Sequence, residues 1–205
     1  MNPKKLKKRP IVWSVYPGDS LKSDEKPSSL YWLSSGRIVD ILNPHPNDID
    51  FADIVNGLAR VQRFGGQINA EHYSVAEHSV LVSRLCAPRN ALLGLMHDAS
   101  EAFVGDVVTP LKRQRDVRGY YEIERRWMLA IGRALGVGDA LVHLPIDVKV
   151  ADARALQTER RDLYSPPRRD ESGILPAPWK VKGLRPRRAE KLFRKRFEEL
   201  TGVRL

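Results

Sequence analysis

Ala91-Leu92-Leu93-Gly94-Leu95-Met96-His97-Asp98-Ala99-Ser100-Glu101 places an imidazole and a carboxylate side by side at the end of an apolar run. Apart from one glycine the run is strongly helix-forming, and its pattern predicts a single helix from Ala91 to Val104. At about 100° per residue, Glu101 projects between the directions of His97 and Asp98, one turn further on. Three polar groups thus converge on one patch of an otherwise apolar helix.

Two further helices are expected to face that patch. Ser74 with Glu77 three residues later forms an S-x-x-E capping box, so a helix is predicted from Ser74 to Leu85. Val75, Val82 and Leu85 lie at i−3, i+4 and i+7 from His78, which turns this imidazole inward. A buried histidine bonded to backbone would account for it alone. After Pro145, residues Ile146 to Tyr164 read as a helix whose apolar face holds Val148, Ala155 and Leu156, and Asp152 falls on that face. A carboxylate so placed is costly unless something positive meets it. A divalent cation shared with His78, His97 and Asp98 would do so, as would Lys149, one turn earlier.

His78, His97-Asp98 and Asp152 resemble the H…HD…D pattern of the HD-domain phosphohydrolases. With Gly105-Asp106, Thr109-Pro110-x-Lys112, Arg63-Phe64 and Val148-Lys149-x-Ala151-Asp152, the stretch His97–Glu101 is similar to the bacterial 5′-deoxynucleotidases, over about residues 45 to 163. Ser35-Gly36-Arg37, Asp40-Ile41-Leu42-Asn43-Pro44 and Tyr73-Ser74-Val75-Ala76-Glu77-His78-Ser79 resemble phage members of the superfamily, among them the dATP triphosphohydrolases. The fold so implied is an all-α HD-domain helical bundle, with a small N-terminal β-hairpin.

The resemblance implies a divalent metal ion (Mn, Co, Mg or Zn) held by His78, His97, Asp98 and Asp152. Such a site keeps positions open for water and a phosphate oxygen. Glu101 would orient or deprotonate that water, or protonate the leaving 5′-oxygen. Asp106 is assigned to the deoxyribose 3′-hydroxyl, although an aspartate after a helix-ending glycine also serves as a turn residue. Arg63, Lys112 and Lys149 are the phosphate-binding candidates; an arginine near a helix C-terminus is also explained by the helix dipole. Phe64 stands where the nucleotidases have tryptophan, and Gly65, Gly66, Gln67 and Ile68 are expected to line the same pocket. The expected substrate is a deoxynucleotide, with dATP or another triphosphate favoured over a monophosphate. A non-catalytic nucleotide- or nucleic-acid-binding protein is the distant alternative.

Composition is that of a soluble globular protein: 42% hydrophobic and 29% charged residues over 205, with no apolar run long enough to span a membrane. The lone cysteine, Cys86, has no internal disulfide partner and reads as a small core residue, which fits the cytoplasm of a bacterium or a phage-infected host. The net charge of +10 is carried at the ends: +5 in residues 1–10 and +7 in residues 165–205, leaving residues 11–164 at −2. The basic termini allow weak, salt-sensitive contact with nucleic acid. A homo-oligomer is expected.

Residues 1–30 read as a basic, irregular arm in which Trp13 and Tyr16 anchor to the body, residues 31–205. Tyr31-Trp32-Leu33 and Arg37–Leu42 flank Ser34-Ser35-Gly36 as a hairpin. Helices are also expected from Asp50 to Phe64 and from Tyr120 to Leu135, the latter with Tyr120, Ile123, Trp127, Ala130, Ile131 and Ala134 as its apolar stripe. Residues 165–188 read as a Pro-rich loop, and Ala189, Phe193, Phe197 and Leu200 as the docking face of a last helix.

Overall fold

Ser74 Oγ accepts a hydrogen bond from the Glu77 N–H at 3.3 Å and Glu77 Oε2 takes the Ser74 N–H at 3.5 Å, the reciprocal cap expected from the sequence. The computed structural model describes residues 29–167 and 172–205; the arm, with Trp13 and Tyr16, lies outside the described residues except for its last two positions. In chain order the described residues form β1 (Leu30–Trp32), β2 (Ile38–Asp40), α1 (Phe51–Leu58), α2 (Val75–Leu85), α3 (Ala91–Met96), α4 (Glu101–Val104), α5 (Thr109–Lys112), α6 (Arg118–Ala134), α7 (Ile146–Leu163) and α8 (Pro186–Thr201). The fold is mostly helical, with one antiparallel hairpin that pairs Tyr31 with Val39 and Trp32 with Ile38.

The capped helix α2 is enclosed on every side, with each residue from Val75 to Ser83 buried, and it packs against α3, α7 and α8. Its apolar side chains join two cores. One holds Ile54, Leu58, Val80, Leu95, Met96, Trp127, Ile131, Phe193 and Phe197; the other holds Leu81, Val82, Val148, Ala151 and Ala155. Buried polar groups need partners, and those of α2 tie it to its neighbours. Ser83 Oγ donates to the Ala91 carbonyl and accepts from Arg196 of α8, while Glu77 Oε2 accepts the Leu184 N–H.

Gly94 explains how α3 comes so close. A Cβ there would stand 2.5 Å from Cys86 Sγ and 3.3 Å from Ser83 Cα, so a larger residue would have to displace the Cys86 side chain and press on the α2 backbone. On the far side of the core, Phe103 stacks on Trp127 at 3.9 Å, and the Trp127 indole N–H donates to the Ile41 carbonyl. The hairpin turn is fixed to α1 by Asp53, which accepts from Ser34 Oγ, Ser35 Oγ and the Ser35 N–H.

Three helix boundaries differ from expectation, each for a local reason. The helix expected over Ala91–Val104 is broken: α3 stops at Met96 and α4 begins at Glu101. His97 Nδ1 bonds the Gly94 carbonyl at 2.9 Å, the acceptor that a continuous helix would give to the Asp98 N–H. The chain continues instead through i→i−3 bonds from Ala99 to Met96 and from Glu101 to Asp98. The helix expected to reach Phe64 ends at Leu58: from Val61 to Arg63 the backbone pairs instead with Tyr73 to Val75, and Phe64, Gly65 and Gly66 beyond it adopt left-handed φ (58°, 60° and 73°). The last helix starts at Pro186, inside the expected loop, with proline in the first turn where its missing N–H costs nothing. The described part of that loop crosses α7, held by Arg161 on the Ala177 and Trp179 carbonyls and by Asp162 on the Val181 N–H.

Candidate metal centre and cavity

His78 from α2, His97 from the break after α3, and Asp152 from α7 offer ligand atoms that all lie within 4.8 Å of one another, and this group could hold a metal ion. The two imidazole Nε2 atoms are 3.2 Å apart, and Asp152 Oδ1 is 3.2 Å from that of His78 and 3.9 Å from that of His97. Asp98 adds Oδ2 at 3.1 Å from His97 Nε2 and 3.5 Å from His78 Nε2. Both histidines are buried, whereas the Asp152 side chain is half exposed and opens the cluster to solvent.

Hydrogen bonds decide which nitrogens are available. A carbonyl only accepts, so His97 Nδ1, 2.9 Å from the Gly94 oxygen, carries the proton. His78 Nδ1, 2.6 Å from Glu159 Oε1, donates in the same way. With each Nδ1 donating, both rings turn Nε2 toward the other across the cluster. Either a proton on one ring or a metal ion can stand between the two nitrogens. Nitrogens bound to one ion at about 2.1 Å each stand roughly 3 Å apart, so the spacing fits a divalent metal.

The charges around the cluster reinforce one another. Burial and the Arg63 charge oppose protonation of His78, but Glu159 and Asp152 outweigh them and lift its pKa to about 10. Burial would raise Asp98, yet His97, His78 and Arg63 hold it far below the usual carboxylate range. Asp152 is lowered in the same sense by His78 and His97 against burial. Glu101 goes the other way: burial, with Asp98 and Asp106 nearby, holds it well above its ordinary value despite Lys112 and Arg63. Glu101 Oε1 receives Lys112 Nζ at 3.1 Å, and its buried Oε2 has no protein partner.

The cluster opens into a cavity of about 750 Å³ lined by Asp98, Glu101, Asp106 and Asp152, by the cations Arg63, Lys112, Arg113 and Arg160, and by Phe64 and Tyr164 among its apolar side chains. Phe64 meets Tyr164 edge-on at 5.7 Å and keeps its left-handed backbone, a strain of about 1–3 kcal/mol that recurs at ligand sites.

The chain is 38% identical over 164 residues to an uncharacterized protein of Rhodobacter capsulatus, a match covering 74% of this chain and 83% of that protein. It is 34% identical over 166 residues to the uncharacterized protein YfdR of Escherichia coli K12, covering 77% of this chain and 88% of YfdR. This chain belongs to their family. No family model matches it. A span of that share cannot avoid the middle of the chain, so the segment carrying His78, His97, Asp98, Glu101 and Asp106 lies within the family match.

Most residues singled out in the sequence come together here, but some do not. Lys149 is exposed on α7 and does not line the cavity; Asp152 turns to the histidines, and among the described residues no ion pair joins it to Lys149. Gly65, Gly66, Gln67 and Ile68 are also absent from the lining, since their left-handed turn leads the chain away after Phe64. Arg63 is not a helix-end residue. Its guanidinium is buried between Asp98 and Glu159, which with Asp106 and Glu101 keep it charged against burial. Sequence reasoning missed Glu159, Tyr73, Glu124, Arg113, Arg160 and Tyr164. Glu159 did leave a trace, standing seven residues after Asp152 and so two turns along the same face of α7.

Proposed function

We propose that this chain is a metal-dependent phosphohydrolase of the HD-domain superfamily, cleaving the bond between the 5′-oxygen and the α-phosphorus of a deoxynucleotide. The observation that carries the reading is the pair of inward Nε2 atoms at 3.2 Å, flanked by Asp98 and Asp152, two carboxylates that line a cavity together with a buried carboxyl group, Glu101. His78, His97, Asp98 and Asp152 would hold the ion. A divalent ion bound there would supply Lewis acidity at the phosphoryl group and acidify a neighbouring water.

The remaining steps belong to the chain's own side chains. Burial and the neighbouring Asp98 and Asp106 favour the protonated form of Glu101, which suits proton donation, so Glu101 gives its proton to the departing 5′-oxygen while Lys112 fixes its orientation. Asp106, past Gly105 on the cavity wall, accepts the deoxyribose 3′-hydroxyl. Phe64 and Tyr164 offer the apolar wall for sugar or base. Arg113 and Arg160 replace Lys149 as cations for the phosphate chain.

A cavity of about 750 Å³ lined by four cations suits a nucleoside triphosphate. One observation favours a monophosphate instead: Arg63 and Lys112 are already paired with Asp98, Glu159, Glu101 and Glu124. Incubation of the purified protein with dNMPs and dNTPs plus Mn²⁺, Co²⁺ or Mg²⁺, resolving phosphate, pyrophosphate and triphosphate, separates the two. Release of triphosphate from dATP is expected; phosphate alone, from dAMP only, moves the reading to a 5′-nucleotidase. No cleavage of any nucleotide refutes both.

A further inference from the structure

Glu159 is fully buried behind the metal-ligand cluster and contributes no ligand atom to it, yet three of its neighbours donate to it. His78 Nδ1 lies 2.6 Å from Oε1, the Tyr73 hydroxyl donates to the same oxygen at 2.9 Å, and Arg63 Nη2 lies 3.4 Å from Oε2. The other terminal nitrogen of Arg63, Nη1, reaches Asp98 Oδ2 at 3.5 Å. A closed circuit results, running His78, Glu159, Arg63, Asp98 and back to His78 Nε2 at 3.5 Å. One buried carboxylate therefore touches one prospective ligand directly and a second through a single guanidinium.

We propose that Glu159 is the positioning residue of the metal centre, keeping a proton on His78 Nδ1 so that Nε2 is the atom offered to the ion, and holding Asp98 in place through Arg63. The inference rests on the metal reading proposed above and adds residues to it. It also reassigns Arg63. With both terminal nitrogens taken by carboxylates and the side chain almost wholly buried, Arg63 acts as a clamp on the ligand set, and the phosphate chain falls to other cations.

The charge of Glu159 matters as well as its shape. A carboxylate behind a ligand imidazole makes that imidazole a stronger donor to the metal, and loss of such a partner commonly weakens binding by about 10–100-fold. Glu159→Gln keeps the volume and an acceptor for His78 but removes the charge, and it turns an amide N–H₂ or a neutral oxygen toward Arg63. Tyr73→Phe removes one donor and leaves both carboxylate oxygens to His78 and Arg63.

The test is Co²⁺ titration of the full-length protein by calorimetry and by its visible absorption, with thermal melting of the metal-free form as the folding control. E159Q is expected to bind Co²⁺ about 10–100-fold more weakly than wild type with an altered visible spectrum, and Y73F to stay within about threefold. Equal affinity in folded E159Q overturns the proposal, as does Y73F losing as much as E159Q, which would mean that the network only fills the core. If E159Q does not fold, NMR of wild type labelled at histidine nitrogen and loaded with Zn²⁺ decides. A proton on His78 Nδ1 with a strongly deshielded resonance supports the role, and metal bound through Nδ1 overturns it. Wild type that binds no divalent ion refutes the metal reading itself, a result distinct from these.

Discussion

Glu101 Oε1 and Lys112 Nζ meet at 3.1 Å on the cavity wall, and the same ammonium reaches Glu124 Oε1 at 2.9 Å. Lys112 is thereby shared between two acids, and its charge is raised in persistence by both against the cost of burial. It leaves Glu101 with one oxygen held and one free of protein partners. On the proposed reading Glu101 handles a proton and is not a metal ligand. Glu101→Ala is therefore expected to keep the metal and to lower turnover by roughly 10² to 10⁴. Metal analysis beside steady-state kinetics checks this, and a variant that loses its metal would show Glu101 to be a ligand.

The cations proposed for the phosphate chain can be divided in a similar way. Arg113 and Arg160 line the cavity, whereas Lys149 points to solvent from α7. Truncating either arginine should lower kcat/KM for dATP by about tenfold or more, near 1.4 kcal/mol, and should affect dAMP less because fewer phosphate oxygens are lost as partners. Lys149 stands outside the cavity, so Lys149→Ala should leave both substrates unchanged. A large loss in that variant would return Lys149 to the site.

These assignments indicate how far the chain could be read by itself. The capping box at Ser74 and Glu77, the inward His78 and the placement of Asp152 on α7 are local consequences of helical spacing, and local rules sufficed. Glu159 obeyed the same spacing but stands in Glu159-Arg160-Arg161-Asp162, a run of charges that reads as a solvated face. Only the arrival of His78, Tyr73 and Arg63 from elements 81 to 96 residues away makes it a buried partner. The break at His97 was hidden for a comparable reason. Apolar periodicity runs on through Ala99 and Phe103, and nothing in it reports that an imidazole takes the Gly94 carbonyl.

Acidity provides another test, and its sign can be worked out. In the metal-free protein His78 is raised from 6.5 to about 10, so its stabilising share is complete below 6.5 and is lost as pH rises through 10. A metal ion must displace that proton. Affinity for Mn²⁺ or Co²⁺ is therefore expected to rise by about tenfold per pH unit over this window, while the melting temperature of the metal-free form falls. Titrations at three pH values with matched melting curves would reveal both trends. Affinity that does not change with pH would mean that no ligand proton is released.

The outer face of α8 supplies the last prediction. Ala189, Phe193 and Phe197 are buried against the bundle, which leaves Arg187, Arg188 and Lys191 exposed on the opposite side, where none of them forms an ion pair among the described residues. Three uncompensated cations within five residues form a patch that attracts polyanions, and each phosphate neutralised should add about 0.9 to the slope of log affinity against log salt. Replacing all three with glutamine should therefore reduce that slope for DNA retention by about 2–3. Hydrolysis of free nucleotide should stay the same, since none of these residues lines the cavity. Binding measured between low and moderate salt, with nucleotide turnover followed in parallel, provides the check. An unchanged slope would place any nucleic-acid contact elsewhere, and a fall in turnover would connect α8 to the catalytic cavity.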